Sequence, residues 1–78
     1  MPTVARFDGF RVMIYTNDHT PKHVHVAHGG DAVVIYLEDR TIREVNGMKP
    51  ALVRQALDWV AANQAFLISE WDRIGPIP

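Results

Sequence analysis

H-V-H-V-A-H-G-G-D-A-V-V-I-Y-L, His23 to Leu37, is the stretch on which the fold turns. From His23 to Ala27 apolar and polar residues alternate, so Val24 and Val26 share one side of a strand while His23 and His25 share the other. Gly29-Gly30 reads as a hairpin turn. Asp31 to Leu37 then forms a strand that is apolar on both sides. Val33, Ile35 and Leu37 lie on one side and Ala32, Val34 and Tyr36 on the other. Such a run suits a central strand covered on both faces, or by a helix on one and a partner subunit on the other.

Towards the N-terminus, Thr3 to Phe7, Asp8-Gly9 and Phe10 to Thr16 predict another hairpin. Asp-Gly suits a two-residue type I′ turn, whose central residues need positive φ. Phe10, Val12 and Ile14 form the better core face, with Arg11, Met13 and Tyr15 opposite. Asn17 to Lys22 is a turn, since Asn and Asp close on their own backbone and Pro21 restricts the entry into the next strand.

Towards the C-terminus, Glu38-Asp39-Arg40 is a polar turn. Thr41 to Val45 reads as a short fifth strand or as loop, and Asn46-Gly47 as another turn. From Pro50 the period changes, and proline fits the first helical position because its missing N–H costs nothing there. Val53, Leu57, Val60, Leu67, Trp71 and Ile74 follow a four-three spacing broken only by Gln64. This spacing predicts one long helix over 50–74, about 37 Å at 1.5 Å per residue. Ala61 to Gln64 is the place for a bend or break, and Gly75-Pro76 ends the helix. Leu52, Ala56, Trp59, Ala65, Phe66 and Ile68 widen the apolar stripe. Trp59 or Phe66 is a candidate for a second interface, with a partner or another copy of the chain. The expected fold is α+β: an antiparallel meander of four to five strands against one long C-terminal helix, bent near 62–64, in a single domain.

Composition narrows the function classes. The chain of 78 residues is short enough that its stability margin is thin, and association is one remedy. It has no cysteine, which removes disulfides and thiolate-bound zinc. Its apolar fraction of 47% and charged fraction of 22% are ordinary for a globular domain. No stretch approaches the roughly 20 apolar residues of a membrane span, and no basic-then-apolar leader opens it. A cytoplasmic location is the default expectation. A net charge of −1 argues against strong non-specific nucleic-acid binding, though Lys22, His23 and His25 form a local basic group.

Three of the four histidines fall within Asn17 to Val26, N-D-H-T-P-K-H-V-H-V. His23 and His25 are alternate residues of one strand, about 6.5–7 Å apart, and the preceding loop brings Asp18 and His19 towards the same face. Neutral imidazoles with a carboxylate suit a divalent metal, with His19, His23 and His25 as candidate ligands and Asp18 as an oxygen donor. The same histidines with Asp18 also suit acid–base work in metal-free RNA cleavage, Tyr15, Lys22 and Arg11 then stabilising a phosphate and Asn17 lining the site. A third reading has His23 and His25 bonding across the sheet to fix the turn, and a fourth uses them in a protein interface. His28, before Gly29-Gly30, reads as an exposed turn residue outside the site.

Met1–Phe7 (M-P-T-V-A-R-F), Gly9–Tyr15 (G-F-R-V-M-I-Y), Asn17–Val26, Ala56–Val60 (A-L-D-W-V) and Ser69–Trp71 (S-E-W) together resemble the small bacterial family known as domain of unknown function 4160. The resemblance covers nearly the whole chain. Lys22 stands where the family more often has a second proline, which implies a looser turn. The resemblance implies a bacterial or phage-borne protein encoded beside a second small domain, one half of a toxin–antitoxin pair with a small cognate partner protein. It carries no established reaction and points to Asp18, His19, Pro21, His23 and His25. The expectation is the toxin half, acting through the Asn17–His25 face with RNA as a candidate target. The alternative is a non-enzymatic protein-interaction domain, metal-binding in one version, whose helix docks a partner or a second copy.

Overall fold

The computed structural model describes residues 3–77. Five strands, β1 (Thr3–Phe7), β2 (Phe10–Met13), β3 (His23–His28), β4 (Asp31–Tyr36) and β5 (Ile42–Asn46), form one antiparallel sheet in sequential order. Two helices follow, α1 (Pro50–Ala62) and α2 (Gln64–Ile74). The class is α+β, as the alternation and the later change of period require.

The first hairpin turns as its Asp-Gly pair dictates. Asp8 and Gly9 have φ of 43° and 83°, and Phe7 pairs with Phe10 across them. The second hairpin pairs His28 with Asp31 across Gly29-Gly30, so every further pair follows by counting outward: His25 faces Val34 and His23 faces Tyr36. The strands differ from expectation at their ends. β2 stops at Met13 rather than Thr16, because the Tyr15 N–H turns away from the ladder to the Asp18 carboxylate at 2.9 Å. Ile14 still lies fully in the core. β3 gains His28, β4 ends one residue early at Tyr36, and Thr41–Val45 is a strand rather than a loop, shifted by one residue to Ile42–Asn46.

The core lies between one sheet face and the helices. Phe10, Val12, Val24, Val26, Val33 and Ile35 meet Val53, Ala56, Val60, Leu67 and Trp71 in one buried cluster. Trp59 is partly buried against this cluster. It stacks on Phe7 at 4.6 Å, which stacks on Phe10 at 4.7 Å. Phe66 on α2 stays 45% exposed.

The single long helix is the main correction. At Asn63 the backbone leaves helical geometry, with φ −119° and ψ 19°, and the Asn63 side chain donates to the Trp59 carbonyl at 2.9 Å. The next residue explains why. Gln64, the gap in the apolar stripe, donates through Nε2 to the carbonyls of Leu37 at 2.6 Å and Glu38 at 3.0 Å. The break turns a polar side chain onto the residues just past β4. A straight 37 Å helix also exceeds the longest molecular dimension of 31 Å.

α2 ends at Gly75, which takes the left-handed conformation, φ 69°. The tail then returns to the sheet. Ile77 N–H donates to the Asp18 carbonyl at 2.9 Å and the Ile77 carbonyl accepts from Thr20 N–H at 3.3 Å. The last described residue therefore clamps the loop that precedes β3.

Candidate functional site

Strand alternation and the 17–22 loop build the site between them. With Val24 and Val26 committed to the core, the pleat puts His23 and His25 on the opposite face. Asp18 is carried there by a tight turn. Its own N–H donates to the Tyr15 carbonyl at 3.0 Å, and its Oδ2 accepts from the Tyr15 N–H. That bond orients the carboxylate so that Oδ1 stands 3.2 Å from His25 Nε2 and 3.5 Å from His23 Nε2. Donor atoms of Asp18, His23 and His25 all lie within 4.8 Å of one another.

The three differ in burial. The side chains of His23, Asp18 and His25 are 3%, 12% and 25% exposed. His23 packs against Trp71 with ring centroids 5.4 Å apart, and His25 meets Tyr15 edge-on at 4.7 Å. His23 Nδ1 is 2.8 Å from the Pro21 carbonyl, which can only accept, so the proton of His23 sits on Nδ1. In the neutral ring Nε2 then presents a lone pair to the Asp18 carboxylate.

Beside this centre is a cleft of about 290 Å³ lined by Asn17, Asp18, His19, Thr20, Pro21, His23, Tyr36 and Arg43. The Thr20–Pro21 peptide in its wall is cis. A second cleft of about 280 Å³ shares Pro21 and Tyr36 and adds Lys22, Glu38, Asp39 and Thr41. The first cleft combines a cation of fixed charge, Arg43, with imidazoles and a carboxylate, which is a setting for an anionic ligand.

The sequence-derived candidates divide accordingly. Asp18, His23 and His25 converge. His19 and Asn17 reach the cleft wall, but His19 is not part of the three-residue centre. Tyr15 serves the centre through its backbone N–H and its ring, while its hydroxyl donates to Met13 Sδ at 3.5 Å. Lys22 pairs with Asp72 of α2 at 3.2 Å and lines the second cleft instead. Arg11 sits opposite Ala27, two residue pairs along from His25, and lines neither cleft. His28 is not a free turn residue. Its ring packs on Phe10 with centroids 4.7 Å apart. The bonds from His23 and His25 to the Asn17–Lys22 turn are those the structural reading of the histidines expects, and they coexist with the converging donor set.

Two cleft residues, Tyr36 and Arg43, escape a motif-based reading. Tyr36 is accessible by arithmetic, because a hairpin closed by Gly29-Gly30 must set it opposite His23. Arg43 carries no such signal. A register irregularity between Val34 and Ile35 leaves it as the extra residue of β5, with Val34 opposite Glu44 and Ile35 opposite Ile42.

Fold and site together define a small meander-plus-helices protein with a His–His–Asp centre at the edge of a polar cleft. A protein-family model matches residues 9–72, and the chain belongs to that family, domain of unknown function 4160. No curated protein and no solved structure matches it.

Proposed function

We propose that this chain is the toxin half of a bacterial toxin–antitoxin pair and acts on the phosphate backbone of RNA at the Asn17–His25 face. The observation that carries the reading is the placement of the Asp18–His23–His25 centre against a cleft that also holds Arg43 and His19. Arg43 and His19 grip the phosphate; the attacking ribose hydroxyl gives up its proton at the centre as its oxygen bonds to phosphorus, and the bond from phosphorus to the next nucleotide's oxygen breaks, that oxygen taking a proton from water. A small cognate protein covering this cleft is the matching antitoxin.

Tightly induced expression in bacteria tests the reading, comparing wild type with Asp18→Asn and His25→Ala variants whose folding is checked by circular dichroism. Growth arrest and loss of RNA with wild type, absent in both variants, is the expected result. Arrest by all three moves the harmful surface to the helices, where Phe66 is exposed. Arrest by none removes the toxin reading in favour of an interaction domain that docks a partner through that helix.

A further inference from the structure

The Asp18–His23–His25 centre has a charge problem. With His23 neutral and its Nδ1 proton committed to the Pro21 carbonyl at 2.8 Å, the lone pair of Nε2 points to Asp18 Oδ1 at 3.5 Å. A lone pair facing a carboxylate is repulsive unless positive charge sits between them. The region is shielded, since His23 is 3% exposed, and screening by water is weak there. The same oxygen stands 3.2 Å from His25 Nε2. One positive charge placed among these three atoms satisfies all of them.

We propose that this charge is a divalent transition-metal ion, zinc or a neighbour in the same row, held by His23 Nε2, His25 Nε2 and Asp18 Oδ1. The distances fit. Ligands about 2.0–2.2 Å from a common metal stand roughly 3–3.5 Å from one another in tetrahedral or octahedral geometry. Two of the contacts, at 3.2 and 3.5 Å, fall in that range. Two imidazoles and one carboxylate are the donor set of open catalytic sites, in which remaining positions take water or substrate.

The surrounding bonds are those a metal site uses. A ligating histidine characteristically donates its other ring N–H to a carbonyl or carboxylate, and a ligating carboxylate is itself hydrogen-bonded. His23 donates to Pro21, and Asp18 Oδ2 accepts from the Tyr15 N–H. The cleft with Arg43 opens beside the centre, so an anionic ligand has access to the metal. This assignment stands on donor geometry and does not require the toxin reading.

Titration of the metal-stripped full chain with zinc by calorimetry, and with cobalt by visible absorption, tests the site on purified protein without any substrate. One equivalent of zinc is expected, with cobalt giving the visible bands of a nitrogen–oxygen ligand set. Asp18→Asn and His25→Ala should each weaken zinc binding by at least about 10-fold, while His28→Gln, which removes a histidine outside the centre, leaves it unchanged. Nitrogen NMR of the imidazoles supplies the second readout. With zinc present, His23 should keep its Nδ1 proton and carry none on Nε2. A proton on His23 Nε2 in the presence of zinc, or zinc affinity equal in wild type and His25→Ala, overturns the proposal and makes the centre a proton-bridged turn lock. Metal binding without growth arrest leaves this site in place and removes only the toxin reading.

Discussion

Asp18 is the residue on which most of the site depends. One oxygen serves the Tyr15 backbone and the other faces two imidazoles, so its loss leaves a part-buried N–H without that partner and two histidines without orientation. Asp18→Ala should lower stability by about 1–3 kcal/mol, measured by chemical denaturation. A variant as stable as wild type would mean that the loop is held by the Ile77 clamp alone. Gly9 matters for a different reason. Its φ of 83° is a conformation that β-branched side chains resist, and an added Cβ would already lie 3.5 Å from the His28 ring. Gly9→Val should cost more than about 1 kcal/mol, and an unchanged melting temperature would contradict the turn type.

At the scale of elements, the joint between α1 and α2 is set by Gln64. Its amide donates to the Leu37 and Glu38 carbonyls just past β4, and helix propensity alone would have continued through it. Gln64→Ala should destabilise by about 1 kcal/mol while raising helical circular dichroism as the break heals. A drop in helicity would show that the joint is imposed from elsewhere. The turn before β5 carries a charge effect. The Thr41 hydroxyl and N–H hold the Asp39 carboxyl below its ordinary range. A lowered folded-state value means the contribution is present above the unfolded carboxylate range and is lost as pH falls through the folded one. Thr41→Val should move the Asp39 titration, followed by NMR, upward towards the ordinary value. β5 itself is exposed along its length and carries Arg43 and Glu44 in its centre, charges that make a sheet edge a poor template for further pairing.

For the molecule as a whole, the decisive layer is the contact between one sheet face and two short helices. Leu67 is fully buried in it. Leu67→Asp places a charge there without a partner, against a total stability of roughly 5 kcal/mol for a chain this small. The expected result is an unfolded chain with flat near-ultraviolet circular dichroism, and a folded variant would relocate the core. Phe66, one residue earlier, is 45% exposed, and Phe66→Ser should change stability by less than about 0.5 kcal/mol. No described helix is long and apolar enough to cross a membrane.

Local chemistry made much of this architecture readable. Asp8-Gly9 and Gly29-Gly30 placed two hairpins, alternation assigned Val24 and Val26 inward and His23 and His25 outward, and the changed period after Pro50 announced helix. These follow from the sequence because each depends on neighbours a few residues apart. The convergence of Asp18 on both histidines was legible as a direction, but not as a geometry. Three things were decided only by the assembled molecule: the bonds from Gln64 to the Leu37 and Glu38 carbonyls, at the place where the sequence already allowed a bend or break, Ile77 clamping the 17–22 loop, and Arg43 entering the cleft through a register irregularity. Each joins groups far apart in the chain. Their pairing depends on where the sheet brings backbone carbonyls and loops together, and no local preference of the residues encodes it.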